Sequence, residues 1–311
     1  MNKLSRKLLV SLLLLIFSVF ALGTATFAWF SLSDTATVSQ FDANISSSEG
    51  IEVSLGDSNP EFYTNIPIDA VNNFLNGAGY GVNFRMNHIT SPDGKSFESL
   101  NGTQITSPSA GGYIEFPMRI RSTSANVPIY LAVGTGLSSE PKNWVADIEF
   151  KNSQGTTVYG GNAKDYYIAN AARFSISSVV GGTETVRVIY ELPEYAYGNN
   201  TDTQYGNRVL GTTPQLEGAV HYYNQKKGFT SYPEEDYDGL VYTGKTLPAT
   251  DTSVVGLPSI VTLGTNTTDG YFYALIKVRV WIEGWDPDCF NAILNSKINV
   301  SFGLKKVVNQ G

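Results

Sequence analysis

Residues 274 to 282 read ALIKVRVWI, which sets Ile276, Val278, Val280 and Ile282 against Lys277 and Arg279. Apolar residues at every second position mark an extended strand with one buried face, because successive side chains point to opposite sides of the backbone. Two more stretches alternate as cleanly. Residues 113 to 121 (YIEFPMRIR) send Ile114, Phe116, Met118 and Ile120 one way and Glu115, Arg119 and Arg121 the other, and residues 297 to 305 (KINVSFGLK) align Ile298, Val300, Phe302 and Leu304. Weaker strand signals lie at 35–45, 50–55, 127–133, 144–150, 172–179 and 185–192. Nine such strands, punctuated by Gly, Pro, Asn and Asp, predict an all-β fold, an antiparallel β-sandwich or jelly roll.

Helical spacing is confined to two short pieces. One is Ile68 to Leu75, which runs into Asn76-Gly77; the other is Pro287 to Leu294, where Asp286 is placed to cap and Phe290, Ile293 and Leu294 to face inward. Residues 56–112 and 193–269 lack strong periodicity and are rich in Gly, Asn, Thr and Tyr. They are expected to be long loop insertions on one sandwich domain spanning residues 29–311.

The chain opens MNKLSRKLLVSLLLLIFSVFALGTATFA: Lys3, Arg6 and Lys7, then an apolar stretch from Leu8 to Leu22, then small residues up to Ala28. This is the layout of a signal peptide over residues 1–28, with Thr26 and Ala28 placed to suit cleavage after Ala28, and Gly23 and Ala25 a second such pair. Leu8 to Ala28 is also long enough to span a hydrocarbon core of about 30 Å, so an uncleaved anchor is the alternative reading. Export carries the rest of the chain outside the membrane, which it meets only through the signal segment. Removing residues 1–28 takes away three cations and no acid, so the formal charge moves from −7 to −10. With no Lys/Arg cluster beyond Lys226-Lys227 and Lys305-Lys306, an acidic surface argues against a nucleic-acid partner. Cys289 is the sole cysteine, so no intramolecular disulfide can form, and burial is its expected fate.

Three segments resemble a known family. GTATFAWFSLSDTATV, from Gly23, is similar to the junction of Gram-positive proteins processed by a SipW-type signal peptidase, such as TasA and camelysin. GGYIEFPMRIRSTSANVPIYLAV with AARFSIS, and the closing VRVWIEGWDPDCFNAILNSKINVSFGLKK, resemble strands of uncharacterised Firmicutes members of this TasA/camelysin-like family. The resemblance implies a secreted jelly-roll protein of the cell surface or biofilm matrix. Its partners would be the signal peptidase, other copies of itself and other matrix components. It also implies fibres in which the freed N-terminal segment completes a neighbour's sheet. The donor here would be Phe30, Leu32, Val38, Phe41 and Ile45, plugging an open sheet edge. The same segment reads equally as the first strand of its own domain, because these residues do not keep a clean period of two.

Camelysin-like relatives are described as metalloproteases, yet hydrolytic chemistry finds little support in the residues. His88 and His221 are the only histidines, HExxH and GxSxG are absent, and no cofactor or enzymatic role is expected. The run from Glu283 to Cys289 gathers Glu283, Asp286 and Asp288 beside Trp285, either a cation or glycan site or a strand-to-helix corner. Residues 233–239 (PEEDYDG) lack EF-hand spacing and read as a solvated loop. Tyr166-Tyr167, Tyr222-Tyr223 and Tyr271 to Tyr273 read either as a surface for carbohydrate or partner protein or, more commonly for such residues, as half-buried strand and loop aromatics. The expected function is structural or adhesive, the alternative a monomeric exported glycan- or protein-binding module, and an exported hydrolase a third.

Overall fold

The computed structural model describes residues 40–48, 50–81, 84–99, 102–152, 156–192, 218–227, 236–237, 240–241, 258–265, 267–286 and 288–306. Residues 1–28, expected to be a signal peptide, Phe30, Leu32, Val38 and most of 193–269 lie outside them. The strands begin β1 (Gln40–Ser47), β2 (Glu52–Leu55), β3 (His88–Thr90), β4 (Phe97–Ser99), β5 (Gln104–Ile105), β6 (Ile114–Ser122), β7 (Pro128–Leu131) and β8 (Gly136–Ser138). Next come β9 (Lys142–Val145), β10 (Phe150–Lys151), β11 (Thr157–Val158), β12 (Ala163–Tyr166), β13 (Ala172–Val180) and β14 (Thr183–Tyr190). The chain closes with β15 (Asp236–Tyr237), β16 (Leu240–Val241), β17 (Val261–Thr262), β18 (Thr267–Thr268), β19 (Tyr271–Glu283) and β20 (Lys297–Lys306). Helices are α1 (Ile68–Gly77), the single turn α2 (Pro108–Gly111) and α3 (Ala219–Lys227).

The fold is all-β, built on two sheets. β19 is the middle of the larger one, with β13 then β14 on one side and β6 then β2 on the other, every neighbour antiparallel. The smaller sheet runs β1-β20-β7-β17, with β8 also on β20. The pairing is not purely antiparallel, as the short strands and their turn punctuation had suggested. β1 runs parallel to β20 from Gln40↔Lys297 to Ser47↔Leu304, and β3 runs parallel to the end of β19. The β13–β14 hairpin turns through Gly181 and Gly182, both at positive φ, as a two-residue turn matched to strand twist requires.

The inward faces meet in one core. Ile114, Phe116, Met118 and Ile120 of β6 are buried, as are Ile298, Val300, Phe302 and Leu304 of β20. Phe302 joins the sheets, edge-on to Phe174 at 5.1 Å and to Phe116 at 6.4 Å. A fully buried side chain of this size contributes about 1.5–3 kcal/mol relative to an exposed one.

The second face of the larger sheet departs from the sequence reading. Alternation set Arg279 opposite the apolar face, yet it is buried, as is Trp281, and Ala172 to Ser178 of β13 are buried on both faces. Residues 88–105 are the cause. They lie over this end of the sheet and close a second small core of Ile89, Phe97, Tyr113 and Trp281, with Phe97 stacked on Tyr113 at 4.0 Å. Gly94 sits at φ +74, and a Cβ there would come within 2.9 Å of Ile189, so the close approach needs glycine. Residues 56–112 therefore supply helix α1, whose Val71 and Leu75 enter the main core, and strands β3 to β5.

Two local expectations change. The strand expected at 144–150 divides into β9 and β10, because Ala146 turns its backbone groups to Asn162 and Gly161. The helix expected at 287–294 is one 3-10 turn, Asn291–Ile293. Cys289 N bonds Asp286 O and Phe290 N bonds Asp288 O, spacings too tight to propagate an α-helix.

Candidate functional site

Residues directly opposite in antiparallel strands share a face. On the outer face of the larger sheet the register lines up Glu52, Arg121 and Tyr273, then Ser54, Arg119, Leu275, Val179 and Glu184. Further along come Pro117, Lys277 and Ser177, then Glu115, Arg279 and Ser175, and finally Trp281 and Arg173. Five cations thus share this face, four of them paired with carboxylates, in three groups that differ in burial.

At the covered end, Arg173 Nη2 lies 2.8 Å from Glu191 Oε2, and its Nη1 lies 3.1 Å from Glu283 Oε2, an ion pair not aligned as a hydrogen bond. All three side chains are at most 2% exposed. Glu283 also accepts from Trp281 Nε1 at 3.2 Å and from the Trp285 backbone at 3.3 Å. Burial opposes the Arg173 charge, but Glu283, Glu191 and Asp286 outweigh it and hold the guanidinium above its ordinary value.

In the middle, Arg279 Nε lies 2.6 Å from Glu115 Oε2 and its Nη1 2.5 Å from Glu184 Oε1. Lys277 lies 3.3 Å from Glu184 and 3.6 Å from Glu115. Burial pushes the Glu184 carboxyl up, but bonds from Arg279 and Ser177 and the charges of Arg279 and Lys277 outweigh it and hold it at about 2. A carboxylate whose folded-state pKa is depressed adds stability that is full above its unfolded pKa, about 4.5, and is lost as pH falls through about 2. Urea melts between pH 5 and 2 are expected to show this loss. Glu184→Gln should flatten the slope in that window, and an unchanged slope would contradict the assignment.

At the open end, Arg121 lies between the rings of Phe62 (4.0 Å) and Tyr271 (4.1 Å), with Nε 2.6 Å from Glu52. Arg119 lies 4.8 Å from the Tyr273 ring and 5.4 Å from Phe62.

No family model, curated protein or solved structure matches the chain.

The carboxylates singled out in the sequence have local tasks. Glu283 belongs to the buried ion cluster, and Asp286 Oδ1 accepts from the Asp288 backbone at 2.9 Å within the turn. Among the described residues, no three His, Cys, Asp or Glu side chains group as a metal site would. Cys289 packs against the main core, and burial, then Asp286, Glu283 and Asp288, push its thiol well above the usual range. A thiol so protonated is a poor nucleophile. His88 opens β3, while His221 lies on α3 and accepts from the Lys151 backbone at 3.2 Å.

Of the donor residues, Ile45 is fully buried in β1 and Phe41 stands opposite Ile298. β1 is an edge strand. Among the described residues its far side is met near its end, where Ile66 N bonds Ile45 O and Ser47 N bonds Thr64 O. Tyr166 and Tyr222 are buried, and the Tyr222 hydroxyl donates a hydrogen bond to Asp147. Tyr271 and Tyr273 are half-buried beside the arginines. Arg173, Glu191 and Phe62 escaped the sequence reading. The available signal was the row of charges opposite the apolar face of β6 and β19.

Proposed function

We propose that this protein is a secreted structural and adhesive component of a bacterial cell surface or extracellular matrix, whose subunits join by exchanging strand β1. The observation that supports this best is the place of β1: an N-terminal edge strand whose ladder runs along β20 and whose Ala43 and Ile45 fill the core. The ladder and pocket that hold β1 within one chain can hold the β1 of a neighbour, so exchange creates no new contact and loses none. Export follows from residues 1–28, cleaved by a SipW-type peptidase, and the jelly-roll topology belongs to the same TasA-like resemblance. The reading gives the protein no catalytic role, since the charges of the outer face are largely spent on one another. The half-exposed arginines and aromatics favour a second reading, a monomeric glycan-binding module. Electron microscopy of the purified chain from Trp29 onward separates the two: filaments are expected, and dispersed particles at all concentrations would favour the module.

A further inference from the structure

Four of the five cations on the outer face have a carboxylate within ion-pairing distance. Arg119 does not. Its contacts among the described residues are the two ring faces, Tyr273 and Phe62, and it makes no ion pair or hydrogen bond there. Stacking occupies the flat faces of a guanidinium and leaves its rim of N–H donors unspent. The side chain thus has aromatic neighbours while its bonding capacity stays open.

Arg119 and Tyr273 line a groove of about 350 Å³, within the size range of small-molecule sites. The other walls are of mixed chemistry: Asp57, Thr262, the backbone of Gly264, and Val180, which is 64% exposed at the tip of the β13–β14 hairpin. A planar guanidinium rim accepts a carboxylate through two parallel hydrogen bonds. Asp57 and Thr262 suit hydroxyl groups, and Val180 suits an apolar ring face. A phosphate polymer is held by rows of cations, whereas this groove offers one cation beside an acid. A run of acidic side chains lacks the ring hydroxyls that Asp57 can accept from.

We propose that this groove binds a uronic acid residue of an acidic polysaccharide, with its carboxylate on the rim of Arg119. This rests on the adhesive half of the function above and not on strand exchange.

The test is calorimetric titration of the full mature chain with trigalacturonate and with its methyl ester, which removes the charge and keeps the ring hydroxyls. The acid should saturate one site per chain, and the ester should bind at least about tenfold more weakly, the effect of losing one charge-assisted pair. Arg119→Gln should weaken the acid by a similar factor. Val180→Asp, at an exposed position, should do the same with an unchanged melting temperature, and it decides the matter if Arg119→Gln is less stable. No binding of the acid, equal binding of acid and ester, binding undiminished in both variants, or tighter binding of a glycerol-phosphate oligomer or hexaglutamate would each overturn the proposal. Filaments without sugar binding would overturn this inference alone, and sugar binding without filaments would overturn strand exchange alone.

Discussion

Arg173→Leu is expected to destabilise the protein by about 3–5 kcal/mol, because it removes the buried cation that Glu191 and Glu283 share. Small folded domains are stable by only about 5–15 kcal/mol, so much of the population at physiological temperature would unfold. The loss comes from stranded charge more than from a missing attraction. A variant that also carries Glu191→Gln and Glu283→Gln should therefore recover most of it, since glutamine keeps an acceptor for Trp281 and Trp285 without charge. Urea melts of the single and triple variants measure both steps. A single variant that melts like the parent would show the cluster to be solvated and the cover over it to be open.

The second large effect concerns β1. A chain beginning after Ser47 loses Ala43 and Ile45 from the core and the eight-residue ladder along β20. It is expected to show no cooperative melt alone and to associate through the bared edge of β20. A synthetic peptide of residues 36–47 should restore a cooperative melt, because the groove it enters is the one β1 fills. Circular dichroism with and without peptide reads this directly, and a truncated chain that melts cooperatively without peptide would show β1 to be dispensable.

The sequence displayed the middle of the sandwich well. β6, β19 and β20 each bury one face against the other sheet, and alternation reports that situation directly. It showed much less of what covers the second face of the larger sheet. Ser175, Ser177 and Arg173 are polar yet buried, so β13 does not look like a strand enclosed on both sides. Residues 88–105 form strands of two or three residues, too short for any period to emerge. The parallel pairing of β1 was likewise hidden, since alternation says which face is buried and nothing of the neighbour's direction. At the candidate site, Arg119, Arg121 and Tyr271 to Tyr273 were visible as separate features. Their convergence with Phe62 depends on the register between β6 and β19, which no local pattern specifies.

Strand exchange is tested most directly by a covalent trap. Asn44 and Ser301 are register partners on β1 and β20, a separation suited to a disulfide, so Asn44→Cys with Ser301→Cys can be joined in a Cys289→Ser background. Oxidation of the assembled protein followed by a denaturing, non-reducing gel reads which chain supplied the strand. The account predicts a ladder of covalent oligomers that collapses to monomer on reduction. A single monomeric band of increased mobility, at concentrations where the protein is assembled, would mean that every chain keeps its own β1 and would contradict it.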